Sequence, residues 1–454
     1  MKRPRRLGWS LAVTVCVAGL GWTQMTDRAL TARRLPTPER LRITRLKATH
    51  EAVVALRAQH RPVKSPDGLL DLRCVIHAHS SLSHDSRGTL EGMVKAARVA
   101  GVQVIMTTEH LAKDRDVVAH GLRGLHSGVL FIAGTEEQNL LTFPTMLKHD
   151  GTALSRSARI RLFAGQPHGL VFIAHPEEIE DWALGPFHGM EIYNTHADLK
   201  DELELLRMLT KDIEFDTAAK LWEAWKFLPA ESLACIQDAP LEILKRWDSL
   251  TLQRRVVGIA GNDSHENTRF ILKKKDDSHV ELFDFYNQPR GVIDARTVPA
   301  ATPWLRLLRQ KKIGDRLMTA TLDPYEHSFR YVNTHVLARE QTEIAVREAL
   351  AAGHAYVSFD WIADPSGTFF RAIDGAVTTL QGDEVKRSPT LALEFGTTLE
   401  VVYRLIHNGE VQQFGTGRSL HVPITQPGVY RVECWLQLGD ELRPWLYTNP
   451  IYVR

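Results

Sequence analysis

The chain has 454 residues, 44% hydrophobic and 24% charged, with a formal net charge of +2. That length supports two or three domains and a large core, and the near-neutral balance gives no electrostatic case for nucleic acid. Four cysteines (Cys16, Cys74, Cys235, Cys434) without a CxxC pair argue against a zinc–thiolate site and a disulfide scaffold.

Residues 1–6 are strongly basic, and Leu7 to Trp22 is apolar and uncharged. This is the pattern of a targeting segment, either an export signal or an uncleaved anchor. Its roughly 16 apolar residues fall short of the ~20 that span a bilayer as a helix. The positive-inside rule sets residues 1–6 in the cytoplasm and the remainder across the membrane. An exported, periplasmic or otherwise extracytoplasmic location is therefore expected, with membrane contact through residues 7–22 if they are retained. Residues 31–68 form a basic linker marked by Pro36, Pro38, Pro62 and Pro66, with one helix expected over Glu39 to His60.

From Leu69 to about Asp360, strands and helices alternate. Cys74 to Ile76 reads as a buried strand that ends in His77, Ala78 and His79, and His84 and Asp85 follow in the next loop. In extended backbone His77 and His79 share a face. Two imidazoles, with a third and a carboxylate close by, can grip a divalent metal. Thr89 to Ala100 has helical periodicity and stops at Gly101. Runs rich in β-branched residues follow at Val102 to Met106, Val129 to Ala133, Leu170 to Ala174, Gly189 to Asn194 and Val256 to Ala260. Each has a ligand-type residue just past its C-terminal end: Glu109 and His110, Glu136, His175, His196, then Asp263 and His265. A parallel barrel or open parallel sheet brings those ends to one face, where such folds keep their sites. Histidine follows the same region, since 12 of the 20 lie between residues 77 and 265.

Residues 197–250 read as helical, with Trp222, Trp225 and Trp247 as core. Residues 273–300 break the alternation and read as an insertion or surface loop. Glu340 to Ala352 reads as a helix and Gly353 to Phe359 as a last strand. His327, His335 and His354 read more readily as structural than as pocket residues. Beyond Asp364 come short alternating segments at 390–395, 400–409, 419–424 and 428–438, with a hairpin signal at Asn408 and Gly409. They are expected to form a small antiparallel β-sandwich without a ligand cluster. The expected domains are 1–30, 31–68, 69–362 and 363–454.

The ordered set His77, His79 and Ser80, then Ser83 to Asp85, Thr107 to His110, Gly134 to Glu136, His175 and Pro176, and Asn262 to His265 resembles the PHP (polymerase and histidinol phosphatase) superfamily. The similarity covers residues 71 to about 265, and more loosely extends to 360. It implies an α/β fold, a distorted (β/α)7 barrel, with two or three divalent ions (zinc, manganese or iron) at the C-terminal ends of its strands. It implies His77, His79, Glu136 and Asp263 as ligands, with His110, His175 and His265 completing the set and His196 at its edge. The family pattern has a single Asp after the Ser of the first motif. Here His84 takes that place and Asp85 follows, so either can be the ligand. Glu109 stands where Asp is commoner and is expected behind the ligands. A further histidine is expected between Glu136 and His175, with His149 preferred to His168. The C-terminal segment is similar to modules that follow PHP domains in some bacterial proteins.

The implied chemistry needs no protein nucleophile. It uses water acidified by the ions, with Glu136 bridging them and Asp263 or His265 relaying a proton to the leaving group. The implied substrate is a small phosphomonoester or phosphodiester. Arg87, Lys113, Arg115 and Arg269 are the nearby basic residues that could hold phosphate. Two alternatives stay open: a metal-dependent hydrolase of C–N or C–O bonds, and a non-catalytic, membrane-tethered binding protein whose working part is the C-terminal unit.

Overall fold

The computed structural model describes residues 34–64, 68–145, 154–202, 224–267, 269–283, 287–297, 301–321 and 323–454. The expected N-terminal targeting segment, His149 and Trp222 lie outside them. Among the described residues, no helix is long and apolar enough to cross a membrane.

Seven strands close into a ring: β1 (Leu70–Ala78), β2 (Val104–His110), β3 (Val129–Glu137), β4 (Leu140–Phe143), β5 (Leu170–Ile173), β6 (Gly189–Asn194) and β7 (Val257–Ser264). They follow chain order around the ring, and β7 pairs back onto β1. Six are parallel, and β4 runs antiparallel to both neighbours. The sequence pattern missed β4. It returns from β3 through Gln138 and Asn139, both with positive φ (55° and 58°), the backbone that a two-residue hairpin turn requires.

Apolar residues on both faces explain why the strands read as continuous hydrophobic runs. Cys74, Ile76, Val104, Met106, Leu130, Ile132, Phe172 and Ile259 fill the ring. Val75, Ile105 and Phe131 face outward against Met93, Ala96 and Ala97 of helix Leu90–Ala100. That helix starts where Thr89 caps Gly92 N and stops at left-handed Gly101.

Two expectations need correction. The linker helix breaks into Thr37–Arg40 and Ile43–Ala58. The stretch expected as an insertion or surface loop at 273–300 is not a loop but part of a larger inserted unit: a four-stranded antiparallel sheet of Pro289–Asp294, His279–Phe283, Arg269–Lys274 and Arg316–Thr321, with helix Ala301–Arg309. It has its own small core of Leu272, Val280 and Leu308. The C-terminal strands are continuous with the sheet of the barrel. β8 (Asn333–Ala338) pairs with the first half of β1, β9 (Ala355–Ser358) pairs with β8, and Glu441–Thr448 pairs with β9. Antiparallel strands Ala392–His407, Glu410–Pro423 and Gly428–Leu438 continue from there. Asn408 and Gly409 (φ 54° and 86°) make the expected hairpin turn.

At the β1–β8 contact lies a buried charge network. His335 bonds Asp71 through Nδ1 (2.7 Å) and Asp360 through Nε2 (2.9 Å), and Arg73 reaches Asp360 at 2.6 Å. Burial alone would lower the His335 pKa, but the two carboxylates outweigh it and push it up to about 10. Below the unfolded value of about 6.5 the imidazole is charged in both folded and unfolded chains, and the contribution to stability is complete. It falls as pH rises from there toward 10. His335→Gln is therefore expected to lower stability by about 3–5 kcal/mol near pH 6, the usual cost of removing one partner of a buried pair. Thermal melts of both proteins across pH 6–10 should show that gap narrowing. A constant gap would contradict the assignment.

Candidate metal centre

The first ligand-type residues reach the barrel interior through a break in strand regularity. Cys74 and Ile76 face inward and Val75 outward, so simple alternation would send His77 and His79 outward with Val75. The register slips between Ile76 and Ala78 against both β2 and β7, and His77 is the extra residue, with φ 72°. This bulge turns Ala78 to the outer face and swings both histidines inside. His77 and His79 do share a face, but only because a bulge exchanges the two faces. His175 (φ 46°) and Asp263 (φ 48°) also have left-handed backbone. For a non-glycine residue that conformation costs about 1–3 kcal/mol and gathers at functional sites.

Two groups of side chains converge at the C-terminal ends of the strands. His77, Glu136, His175 and Asp263 form one, and His79, Asp85, His110 and His265 the other, with one candidate ligand atom from each residue within 4.8 Å of the rest of its group. Glu136 Oε2 lies 3.2 Å from His77 Nε2 and 3.3 Å from His79 Nε2, and Oε1 lies 3.1 Å from His175 Nε2. Asp263 Oδ1 is 3.3 Å from His77 Nε2 and 3.4 Å from His265 Nδ1. Glu136 and Asp263 thus join the two groups. Asp85 Oδ2 is 3.4 Å from His110 Nε2 and 3.3 Å from His265 Nε2.

The hydrogen bonds behind the histidines fix which nitrogen faces inward. His77 Nδ1 donates to Glu191 Oε1 at 2.6 Å. Ser83 gives its one proton to Glu109 Oε2 (2.7 Å), so it accepts from His79 Nδ1 (3.1 Å) and from His110 N. His265 Nδ1 donates to the Asp263 carbonyl (3.0 Å). In each case Nε2 is the nitrogen turned toward the cluster. Glu109 also accepts from Ser80 N and Oγ, as befits a residue behind the ligands.

Charges alone do not satisfy this arrangement. Burial opposes charge on His77, His175 and His265, but the surrounding carboxylates prevail: His77 is raised, His175 is pushed up to about 10 and His265 to about 9. Asp263 and Glu136 are lowered by the neighbouring imidazoles despite burial. His79 goes the other way, down to about 3, because burial and then the positive His265 forbid a second charge. Its neutral Nε2 faces Glu136 Oε2, so two acceptors meet with no proton between them. His77 Nε2, His79 Nε2, Asp85 Oδ1 and Asp263 Oδ1 are all buried without a hydrogen-bond partner, and such groups are costly unless something binds them. Atoms that share an ion about 2.1 Å away lie about 3.0–3.4 Å apart, close to the spacings seen. The residues present fit divalent ions.

Asp85, not His84, joins the cluster. His84 is exposed, with its ring 5.1 Å from that of His110. His196 stands at the rim, its Nδ1 2.9 Å from Asp263 Oδ2. His168 lies elsewhere, its nearest carboxylate Glu348. His335 and His354 are engaged with Asp71, Asp360 and Asp383. Arg115 pairs with Asp114 on the surface. The sequence pattern missed Glu191, although a carboxylate inside an otherwise apolar strand was a visible signal. It also missed Glu177, 3.4 Å from His175 Nδ1.

Elemental analysis of the purified protein is expected to find at least two divalent ions per chain, and His77→Ala or Asp263→Ala to remove one or more. Chelation should lower the melting temperature, because ions that bind only the folded chain stabilise it by mass action. Ion-free protein with an unchanged melt would refute the assignment.

No protein-family model and no curated protein sequence matches the chain. Among solved structures it is similar to a two-domain protein from Bacteroides vulgatus containing a predicted PHP-like metal-dependent phosphoesterase. The TM-score is 0.34 at 14% identity, covering 86% of this chain and 98% of that one. A likeness at that level carries no argument about fold or function.

Proposed function

We propose that the chain is a metal-dependent phosphoesterase of the PHP type, acting on small phosphomonoesters or phosphodiesters. Its catalytic unit would be the distorted (β/α)7 barrel, with the C-terminal strands forming a β-sandwich beside it. The observation that carries this reading is the double cluster at the barrel mouth, with buried Nε2 atoms facing carboxylate oxygens. His77, His79, Asp85, His110, Glu136, His175, Asp263 and His265 would hold two or three ions, with His196 at the edge. Such ions supply Lewis acidity toward a phosphoryl oxygen and a lowered pKa for water.

The remaining work falls to the chain. Glu136, which reaches histidines of both groups, holds the two halves of the site at a fixed spacing. Asp263 bonds His196 and lies beside His265, so this trio can take a proton from water or pass one to a leaving-group oxygen. Burial keeps bulk water from Glu136, Asp263 and His265 and strengthens the charge interactions among them, while His196 stands at the exposed rim. The predicted targeting segment supports an extracytoplasmic location for this activity.

Protein loaded with manganese or zinc is expected to hydrolyse at least one member of a phosphoester panel. Glu136→Gln and Asp263→Asn should each lower kcat by about 10²-fold or more. If the loaded protein turns over amides or esters and no phosphoester, the centre serves another class of bond.

A further inference from the structure

Behind the candidate ligands one carboxylate has more partners than its place in an apolar strand requires. Glu191 lies in β6 between Met190 and Ile192, both packed in the outer core, and its side chain is fully buried. It touches no atom of the two clusters except through the backs of their residues. Oε1 receives His77 Nδ1–H at 2.6 Å. Oε2 receives the backbone N–H of His175 at 3.0 Å and Asn194 Nδ2 at 2.8 Å. Asn194 Oδ1 in turn accepts from His196 N (2.8 Å) and Ala197 N (3.0 Å), which starts the helix that carries His196. One carboxylate therefore orients His77 on β1, His175 after β5 and, through Asn194, His196 after β6. His77 and His175 are two of the left-handed residues that the cluster depends on.

The strand beside it is cut to fit. A Cβ placed on Gly261 of β7 would overlap Glu191 Oε1 and come within 2.9 Å of Asn194 Nδ2. Gly261 has no positive φ, so its backbone does not call for glycine. What calls for it is the space taken by the Glu191 carboxylate.

We propose that Glu191, seated against Gly261, is the positioning residue of the metal centre. It fixes the Nδ1–H tautomer of His77, which leaves Nε2 turned to the cluster, and the direction of the His175 backbone, and it touches neither ion nor substrate. This rests on the metal-centre reading above. A carboxylate behind a ligating histidine typically changes metal affinity 10–100-fold when replaced. Glu191→Gln keeps the shape but turns an N–H₂ group toward His77 Nδ1 or toward the donors His175 N and Asn194. Gly261→Ala leaves Glu191 in place chemically and pushes its carboxylate aside.

The test is chelator-competition titration of Mn²⁺, together with the visible spectrum of Co²⁺-loaded protein, for wild type, Glu191→Gln, Gly261→Ala and the double variant. Metal-free melts run alongside. Each single change is expected to weaken Mn²⁺ binding about 10–100-fold and to alter the Co²⁺ bands. The double variant should be no weaker than the worse single, because both act through one contact. Should Gly261→Ala not fold, Glu191→Gln alone decides. Wild type that binds Mn²⁺ tightly while Glu191→Gln binds it within about threefold overturns the positioning role and leaves the metal centre standing. So does a variant whose metal-free melt falls while its Co²⁺ spectrum is unchanged. Wild type that binds neither ion overturns the metal centre, and this role with it.

Discussion

Two carboxylates, Glu136 and Asp263, stand nearly buried in the mouth of the barrel, and the surrounding structure answers to their charge. Unpaired carboxylates in such a place are expensive by several kcal/mol. Protons on the neighbouring imidazoles compensate in part, as the elevated pKa values of His175 and His265 show. Protons cannot finish the task, because the imidazoles stand too close to one another. The rings of His79 and His265 stack with centroids 4.0 Å apart, and His79 stays neutral. Multivalent positive charge at points between the nitrogens is what remains.

Bringing those groups together takes backbone that the chain does not otherwise favour. His77, His175 and Asp263 all sit in left-handed conformations. The surrounding bonds hold them there: Glu191 takes the His175 N–H, and the Asp263 carbonyl is held by His265. Strain in the clustered residues and order in the residues behind them are two sides of one design.

Much of this was legible in the sequence, and the misses have physical reasons. The parallel strands were readable because burial on both faces leaves unbroken apolar runs, and their ends were marked by His, Glu and Asp. β4 was not readable: four residues carry too little periodicity, and Gln138 and Asn139 are a weak hairpin signal beside the Asn408 and Gly409 pair. The inward turn of His77 was hidden because bulges leave no period-2 signature. His84 and Asp85 could not be told apart because the conformation of a loop, not residue type, decides which side chain turns in. Glu191 leaves no such mark, because it lies in mid-strand rather than at a strand end.

The ring closes on a short ladder. β1 meets β7 at only two register positions, Ile76 with Gly261 and Ala78 with Ser264, as few as join β5 to β6, whereas β2 and β3 match over seven. The clusters span that same seam, drawing His77 and His79 from one side and Asp263 and His265 from the other. Ions held there would act as a clasp on a seam whose backbone zipper is short. Occupancy would then set how often the seam breathes, and amide hydrogen exchange in β1 and β7 would register the difference between the loaded and stripped protein.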